Sequence, residues 1–252
     1  MNMNTKSPGL AGNAKGFTLI EMLVVIAVIG ILAAMLLPAL ASAKRQTKMK
    51  IAQAEEVSLI AAISQYKAAY NILPASITAV TAATNTANKK INYDFTFGTE
   101  VFNVPGESTY GLSSIVIQNP EAAYQNVNSE IISILRDDNY YPEMDSSGHS
   151  HIYNPQQTKF FNPSKVASDT NSPGISQVDD VFRDPWGNPY IVTLDMSGLG
   201  KCYDQYWFKF MGNNNFSVPG DAMVWSFGPS GSCNPTLPLS NPLNQYLVYS
   251  WK

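Results

Sequence analysis

The chain has 252 residues, 14% of them charged and 45% hydrophobic, with 16 Gly, 16 Pro, two His and two Cys. That is room for one ordinary domain plus a further element, or for two small domains, and the apolar content excludes intrinsic disorder. A net charge of −3 and a pI near 5.4 exclude a generally basic nucleic-acid binder, and two Cys with two His exclude a disulfide scaffold, a four-thiolate zinc site and histidine-rich catalysis.

The charge is unevenly spread. Residues 1–16 carry +2, residues 17–70 carry +2 and residues 71–252 carry −7. One end is apolar and basic, and the other is polar and acidic. From Met22 to Ala43 there are 22 residues without a charge, long enough for a helix to cross a hydrocarbon core of about 30 Å. A secretory signal peptide is one reading: Lys15 supplies the n-region, and Ala41-Ser42-Ala43 behind Pro38 resembles a cleavage site. Against it, the run exceeds an h-region of about 7–15 residues, and Glu21 sits just behind Phe17-Thr18-Leu19-Ile20. A carboxylate entering a membrane segment is costly and marks function by default.

Lys15-Gly16-Phe17-Thr18-Leu19-Ile20-Glu21, directly ahead of that apolar run, resembles the prepilin peptidase site of type IV pilins and type II secretion pseudopilins. The resemblance implies cleavage between Gly16 and Phe17, N-methylation of Phe17, and loss of residues 1–16 as a leader, which leaves a mature charge of −5. The chemistry is consistent. Gly16 lets the backbone lie extended in a protease groove. Cutting behind it creates an α-ammonium on Phe17, and a carboxylate in hydrocarbon is far less costly when paired with an amine. Glu21 of an incoming subunit would then register on the Phe17 amine of its neighbour; snorkelling at a helix end is the alternative role for Glu21. Counting Lys44, Arg45, Lys48 and Lys50 behind the span against Lys6 and Lys15 ahead of it would place the N-terminus outside. The peptidase motif implies the reverse: a single-pass inner-membrane precursor with a cytoplasmic N-terminus and a periplasmic head.

Within the apolar helix, Gly30 and Pro38 mark a kink, and in filaments of the resembling families this region locally unwinds. Beyond Ala43 the pattern turns amphipathic. Leu59, Ile63, Tyr66 and Tyr70 form one stripe and Val57, Ile60, Ala61 and Ala68 a second, until Asn71-Ile72-Leu73-Pro74 ends the helix. The expected organisation is a leader (1–16), a transmembrane or filament-core helix (17–43), an amphipathic continuation (44–73) and a globular head (74–252). The spine from Phe17 to Tyr70 would be roughly 80 Å long if unbroken.

In the head, residues 75–128 read as short strands and long loops, with apolar stretches at Tyr93–Phe97 and Ser113–Ile117. Ser129 reads as the N-cap of a helix with Glu130 in its first turn, stopping near Tyr140-Tyr141-Pro142. Glu143 to Asp180 reads as loop; it holds His149 and His151, for which a solvated loop is the preferred reading over a metal site. Asp184-Pro185-Trp186-Gly187-Asn188-Pro189-Tyr190 is turn chemistry ahead of the strand-like Ile191-Val192-Thr193-Leu194. This turn resembles the head signature of the major pseudopilin, as do Met223 to Gly231 and the closing Tyr249-Ser250-Trp251. The resembling proteins often hold calcium in the following loop. Here Pro229-Ser230-Gly231-Ser232-Cys233-Asn234-Pro235 lacks acids, so no calcium site of that type, and no other cofactor, is expected. Cys202 and Cys233 are either a disulfide closing a loop of about 30 residues, worth roughly 3–4 kcal/mol, or two buried thiols.

No enzyme is expected. Ser64-Gln65-Tyr66-Lys67 matches S-x-x-K without its companion motifs, and no G-x-S-x-G, P-loop or G-x-G-x-x-G occurs. The resemblance implies an α+β pilin fold, a long helical spine packed on a head with an antiparallel sheet. It also implies a subunit of a secretion pseudopilus whose partners are further copies of itself, other pseudopilins, the prepilin peptidase and an inner-membrane assembly platform. A type IV pilin for adhesion, motility or DNA uptake is the alternative, although the acidic head argues against nucleic acid. A membrane-anchored exported binding module is a third, of a different class.

Overall fold

The computed structural model describes residues 16–84, 94–98, 125–138, 151–163, 166–204, 207–213, 215–234 and 237–251. Helix α1 (Leu19–Tyr70) is 52 residues long and runs through Pro38, about 78 Å at 1.5 Å per residue. The chain divides into two compact units, Met1–Lys44 and Arg45–Lys252.

In the first unit, every described side chain up to Leu40 is exposed. This stretch is long and apolar enough to cross a membrane.

In the second unit, α1 buries Ala52, Glu56, Leu59, Ala62, Ile63 and Tyr66, the i, i+3/i+4 stripe of an amphipathic helix. Val57 and Ala61 stay exposed and Ile60 is half-buried. Asn71 ends the helix in the left-handed region (φ 57°), its N–H bonding the Lys67 carbonyl at 2.8 Å, as an αL cap does. The next segment is not loop: helix α2 (Ile77–Thr84) follows. Ser76 Oγ accepts the Ala79 N–H at 3.1 Å, a serine N-cap. Helix α3 (Ser129–Arg136) is found where expected, but its N-cap is Asn128 rather than Ser129, and it stops at Asp137 in a left-handed conformation. Asn128 does not cap through its side chain. Its Nδ2 donates to the carbonyls of Phe182 and Tyr190, both at 2.8 Å, and its Oδ1 accepts the Phe182 N–H at 3.0 Å. It is a buried clamp between segments. Tyr140-Tyr141-Pro142, Ser113–Ile117 and His149 lie outside the described residues.

The strands are β1 (Phe95–Phe97), β2 (Gln125–Asn126), β3 (Val166–Ala167), β4 (Gly174–Ser176), β5 (Phe182–Arg183), β6 (Ile191–Leu194), β7 (Lys201–Cys202), β8 (Val218–Pro219), β9 (Ala222–Ser226) and β10 (Val248–Tyr249). The main sheet has the order β10-β9-β6-β1-β2, antiparallel except for the β1–β2 edge. Strands β3 and β4 fall in the segment expected to be loop; together with β5 they form a small second sheet. The fold class is α+β, a long N-terminal helix and a head with an antiparallel sheet, in agreement with a pilin fold.

Strand alternation divides the head's interior in two. Val192, Leu194, Ala222 and Val224 join the core under α1, α2 and α3. Their neighbours Ile191, Met223 and Trp225 join a second, aromatic core with Trp207, Phe210 and Phe227. A strand that buries both faces reads as a near-continuous apolar run, which describes Ile191–Leu194 and Ala222–Ser226 apart from Thr193 and Ser226.

Candidate assembly segment and spine clasp

The expected processing site sits at the start of α1. Phe17 is exposed, and a Cβ added at Gly16 would meet nothing within 4 Å. Among the described residues nothing fills that space, and the same holds at Gly30. Glu21 Oε2 accepts hydrogen bonds from the Thr18 N–H and Thr18 Oγ1, both at 2.7 Å, and the Glu21 N–H donates to Thr18 Oγ1 at 3.3 Å. This is a capping box, the reciprocal Thr-x-x-Glu arrangement that satisfies two orphan donors of a helix N-terminus. The sequence carried that signal in Thr18 and Glu21, yet the membrane position of Glu21 drew attention away from it. A single carboxylate thus both starts the helix and places a negative charge at its positive end.

The signature turn of the head is built around one carboxylate. Asp184 Oδ1 accepts the N–H groups of Trp186 (2.8 Å) and Asn188 (2.9 Å), and Asp184 Oδ2 accepts from Ser226 Oγ (3.0 Å). Burial pushes the Asp184 carboxyl above its usual range, against the pull of these donors. Gly187 lies at φ 94°, and a Cβ there would collide with the Asn171 carbonyl oxygen; only glycine fits. Asn188 Nδ2 donates to the Gly228 carbonyl at 2.8 Å, tying the turn to the segment after β9.

The turn grips the spine. Lys48 Nζ donates to the Pro185 carbonyl at 2.6 Å and lies 5.5 Å from the centre of the Trp186 ring, a cation–π distance. One and a half to two turns further on, Glu55 Oε2 accepts from the buried Tyr190 hydroxyl at 2.5 Å. Burial and the Glu55 charge together push the Tyr190 hydroxyl well above its ordinary range. The same seam continues along the helix. The Arg45 guanidinium sits 4.9 Å from the Tyr246 ring centre. Tyr66 donates to the Tyr153 carbonyl at 2.6 Å, Lys67 pairs with Asp221, and Tyr70 donates to Asn154 Oδ1 at 2.6 Å. The Asp184–Tyr190 motif is therefore a clasp on the spine.

The two cysteines are free buried thiols, so the candidate disulfide is not formed in this structure. Cys202 Sγ instead approaches the carbonyls of Thr193 and Gly220, both at 3.6 Å. Burial pushes both thiols above their usual range, which suppresses the reactive thiolate. The loop after the Ser-x-Gly segment, Ser226-Phe227-Gly228, is braced by a residue that the sequence reading missed. Buried Asn244 donates through Nδ2 to the carbonyls of Asn234 (2.9 Å), Leu237 (2.8 Å) and Pro238 (3.2 Å), and its Oδ1 accepts the Asn234 N–H at 2.9 Å. Pro235 lies outside the described residues. His151 contacts Asp137 at 2.6 Å, and among the described residues no three His, Cys, Asp or Glu side chains converge as a metal site would require.

An exposed apolar helix, opened by a Thr-x-x-Glu box behind Gly16-Phe17 and carried by an α+β head, defines a pilin-like protein. Residues 12–37 match the family described as the Prokaryotic N-terminal methylation motif. Type II secretion system core protein G of Pseudomonas aeruginosa is 42% identical over 52 residues, 21% of this chain and 37% of that protein. The match thus spans little more than a third of that relative. No solved structure matches the chain. The methylation motif, the partial match and the apolar helix together make the protein pseudopilin-like.

Proposed function

We propose that this protein is a pseudopilin, a non-catalytic subunit of a filament that supports protein export by a type II secretion-like system. The observation that carries the reading is Gly16-Phe17-Thr18-Leu19-Ile20-Glu21 placed immediately before an exposed apolar helix. The precursor is held in the inner membrane by residues 17–43, with its N-terminus in the cytoplasm and its head in the periplasm. Prepilin peptidase cuts between Gly16 and Phe17, and Phe17 is N-methylated.

In the free subunit the Glu21 carboxylate is held by Thr18. On extraction from the membrane it pairs with the Phe17 amine of a neighbouring copy, since a buried carboxylate is stabilised most by an opposite charge. Gly30 and Pro38, lacking respectively a side chain and a backbone donor, let this stretch unwind as copies pack. Further copies, other pseudopilins and an inner-membrane assembly platform are the partners, and neither metal nor cofactor takes part. The test is Glu21→Ala expressed at native level: it should be cleaved normally yet stay in the membrane, whereas filaments at wild-type yield would overturn the role of Glu21.

A further inference from the structure

Glu56 lies on α1 between Ala52 and Leu59, on the stripe that faces the head core. It is completely buried, and neither of its carboxyl oxygens has a hydrogen-bond partner among the described residues. A buried carboxylate in this state is among the most costly groups a fold can hold. The charges that face it make matters worse. Glu55 neighbours it on the same helix and Asp184 faces it from the signature turn, both repelling a negative charge. Tyr190, whose hydroxyl could have donated, is committed to Glu55. Asp184 is committed to Trp186, Asn188 and Ser226. Of the cations on this seam, Lys48 is two turns away and donates to Pro185, Arg45 lies over the Tyr246 ring and Lys67 pairs with Asp221.

A bound cation is one remedy for such a site, but no three ligating side chains converge among the described residues. The proton is the other. We propose that Glu56 enters the fold as the neutral acid, and that the joint between spine and head is consequently a latch that is tightest at low pH and loosens as pH rises. The sign follows from linkage. The native state retains a proton that the unfolded chain releases above the ordinary glutamate range, so stability falls with rising pH until Glu56 ionises in the native state too. Burial, Asp184 and Glu55 all push Glu56 well above that range. Since the periplasm follows external pH far more closely than the cytoplasm does, an exported head with this latch would stiffen its spine in acid. The latch rests on the fold of the head alone, independent of cleavage or filament assembly.

The experiment is urea unfolding of the full-length chain in detergent micelles, followed by tryptophan fluorescence, for wild type and Glu56→Gln between pH 4.5 and pH 8. Glutamine keeps the shape and removes the titration, so any fixed cost of its amide is the same at every pH. The ratio of the two unfolding constants should change by about tenfold per pH unit above the unfolded pKa of Glu56, in favour of the variant. A pH-independent ratio would overturn the proposal. Should Glu56→Gln fail to fold, Glu56→Leu gives the same reading, with the same slope expected. In the infrared difference between wild type and variant at pH 7, a protonated-carboxyl stretch belonging to Glu56 should remain, over the band that Asp180 gives in both; its absence from that difference would contradict the latch. Recovery of wild-type stability at pH 8 by added Ca²⁺, reversed by chelator, would point to a cation at Glu56 and overturn the neutral acid.

Discussion

Three residues hold positions for which no neighbour substitutes. Asn244 satisfies three carbonyls and one N–H of the loop after the Ser-x-Gly segment. Asn244→Ala should lower stability by about 2–4 kcal/mol because four part-buried hydrogen bonds are lost together, read as a fall in the denaturant midpoint. Gly187→Ala should cost about 2–4 kcal/mol, since a side chain at positive φ is strained and the Asn171 carbonyl occupies its space. Glu21 is the third, and its capping can be separated from its proposed role in assembly. Thr18→Ala removes the same capping box while leaving the carboxylate, at a cost of about 1 kcal/mol of helix stability. Filament yield should therefore fall little in Thr18→Ala and disappear in Glu21→Ala, by quantification of sheared filaments; equal losses would mean that Glu21 acts only as a cap.

At the scale of elements, what could be read from the sequence was what is written locally. The end of α1 at Asn71, the Asp184–Tyr190 turn and the strand Ile191–Leu194 each carry their cause in their own residues. Short-range turn chemistry and a residue with φ above zero need no distant partner. The elements that escaped depend on long-range contacts. Helix α2 is only eight residues of Ile, Thr, Ala and Val, composition that favours neither helix nor strand until Ser76 caps it and Glu130 Oε1 accepts the Ser76 N–H at 2.9 Å. Strands β3 and β4 are two and three residues long, too short for any alternation to show. Glu56 sits on the buried stripe at i+4 from Ala52, a place that its charge argues against. Spine packing is the element-scale property that is most open to test. Leu59 is fully buried in the head core, and Leu59→Ala should cost about 2–5 kcal/mol, measured as the same midpoint shift. A loss under 1 kcal/mol would mean that α1 beyond Arg45 contributes little to the head.

Over the whole molecule, the uneven charge and the buried acids give one behaviour. Burial raises Asp94 to about 6, and it raises Asp180 to about 8 against the opposing pull of Arg136. Asp184 and Glu56 are raised as well. A carboxyl raised in the native state holds its proton longer than in the unfolded chain, so each of these groups lowers stability as pH climbs past its unfolded value. The head should accordingly be most resistant to urea near pH 4–5 and lose resistance progressively toward pH 8; a midpoint that rises over that range would contradict the assignment. The distribution of work along the chain follows the same division. An acidic head solves the solubility problem, and the spine buries one stripe against it. The described residues of the first unit up to Leu40, mostly apolar and exposed, need either lipid or other copies to cover them.

That last requirement is where the functional account stands or falls, and the N-terminus of the protein recovered from cells decides it. Mass spectrometry of the N-terminal peptide should find a chain that begins at Phe17 and carries one added methyl group. A chain beginning at Lys44 would mean an ordinary signal peptide, with α1 truncated at the edge of the head, and would contradict the pseudopilin account.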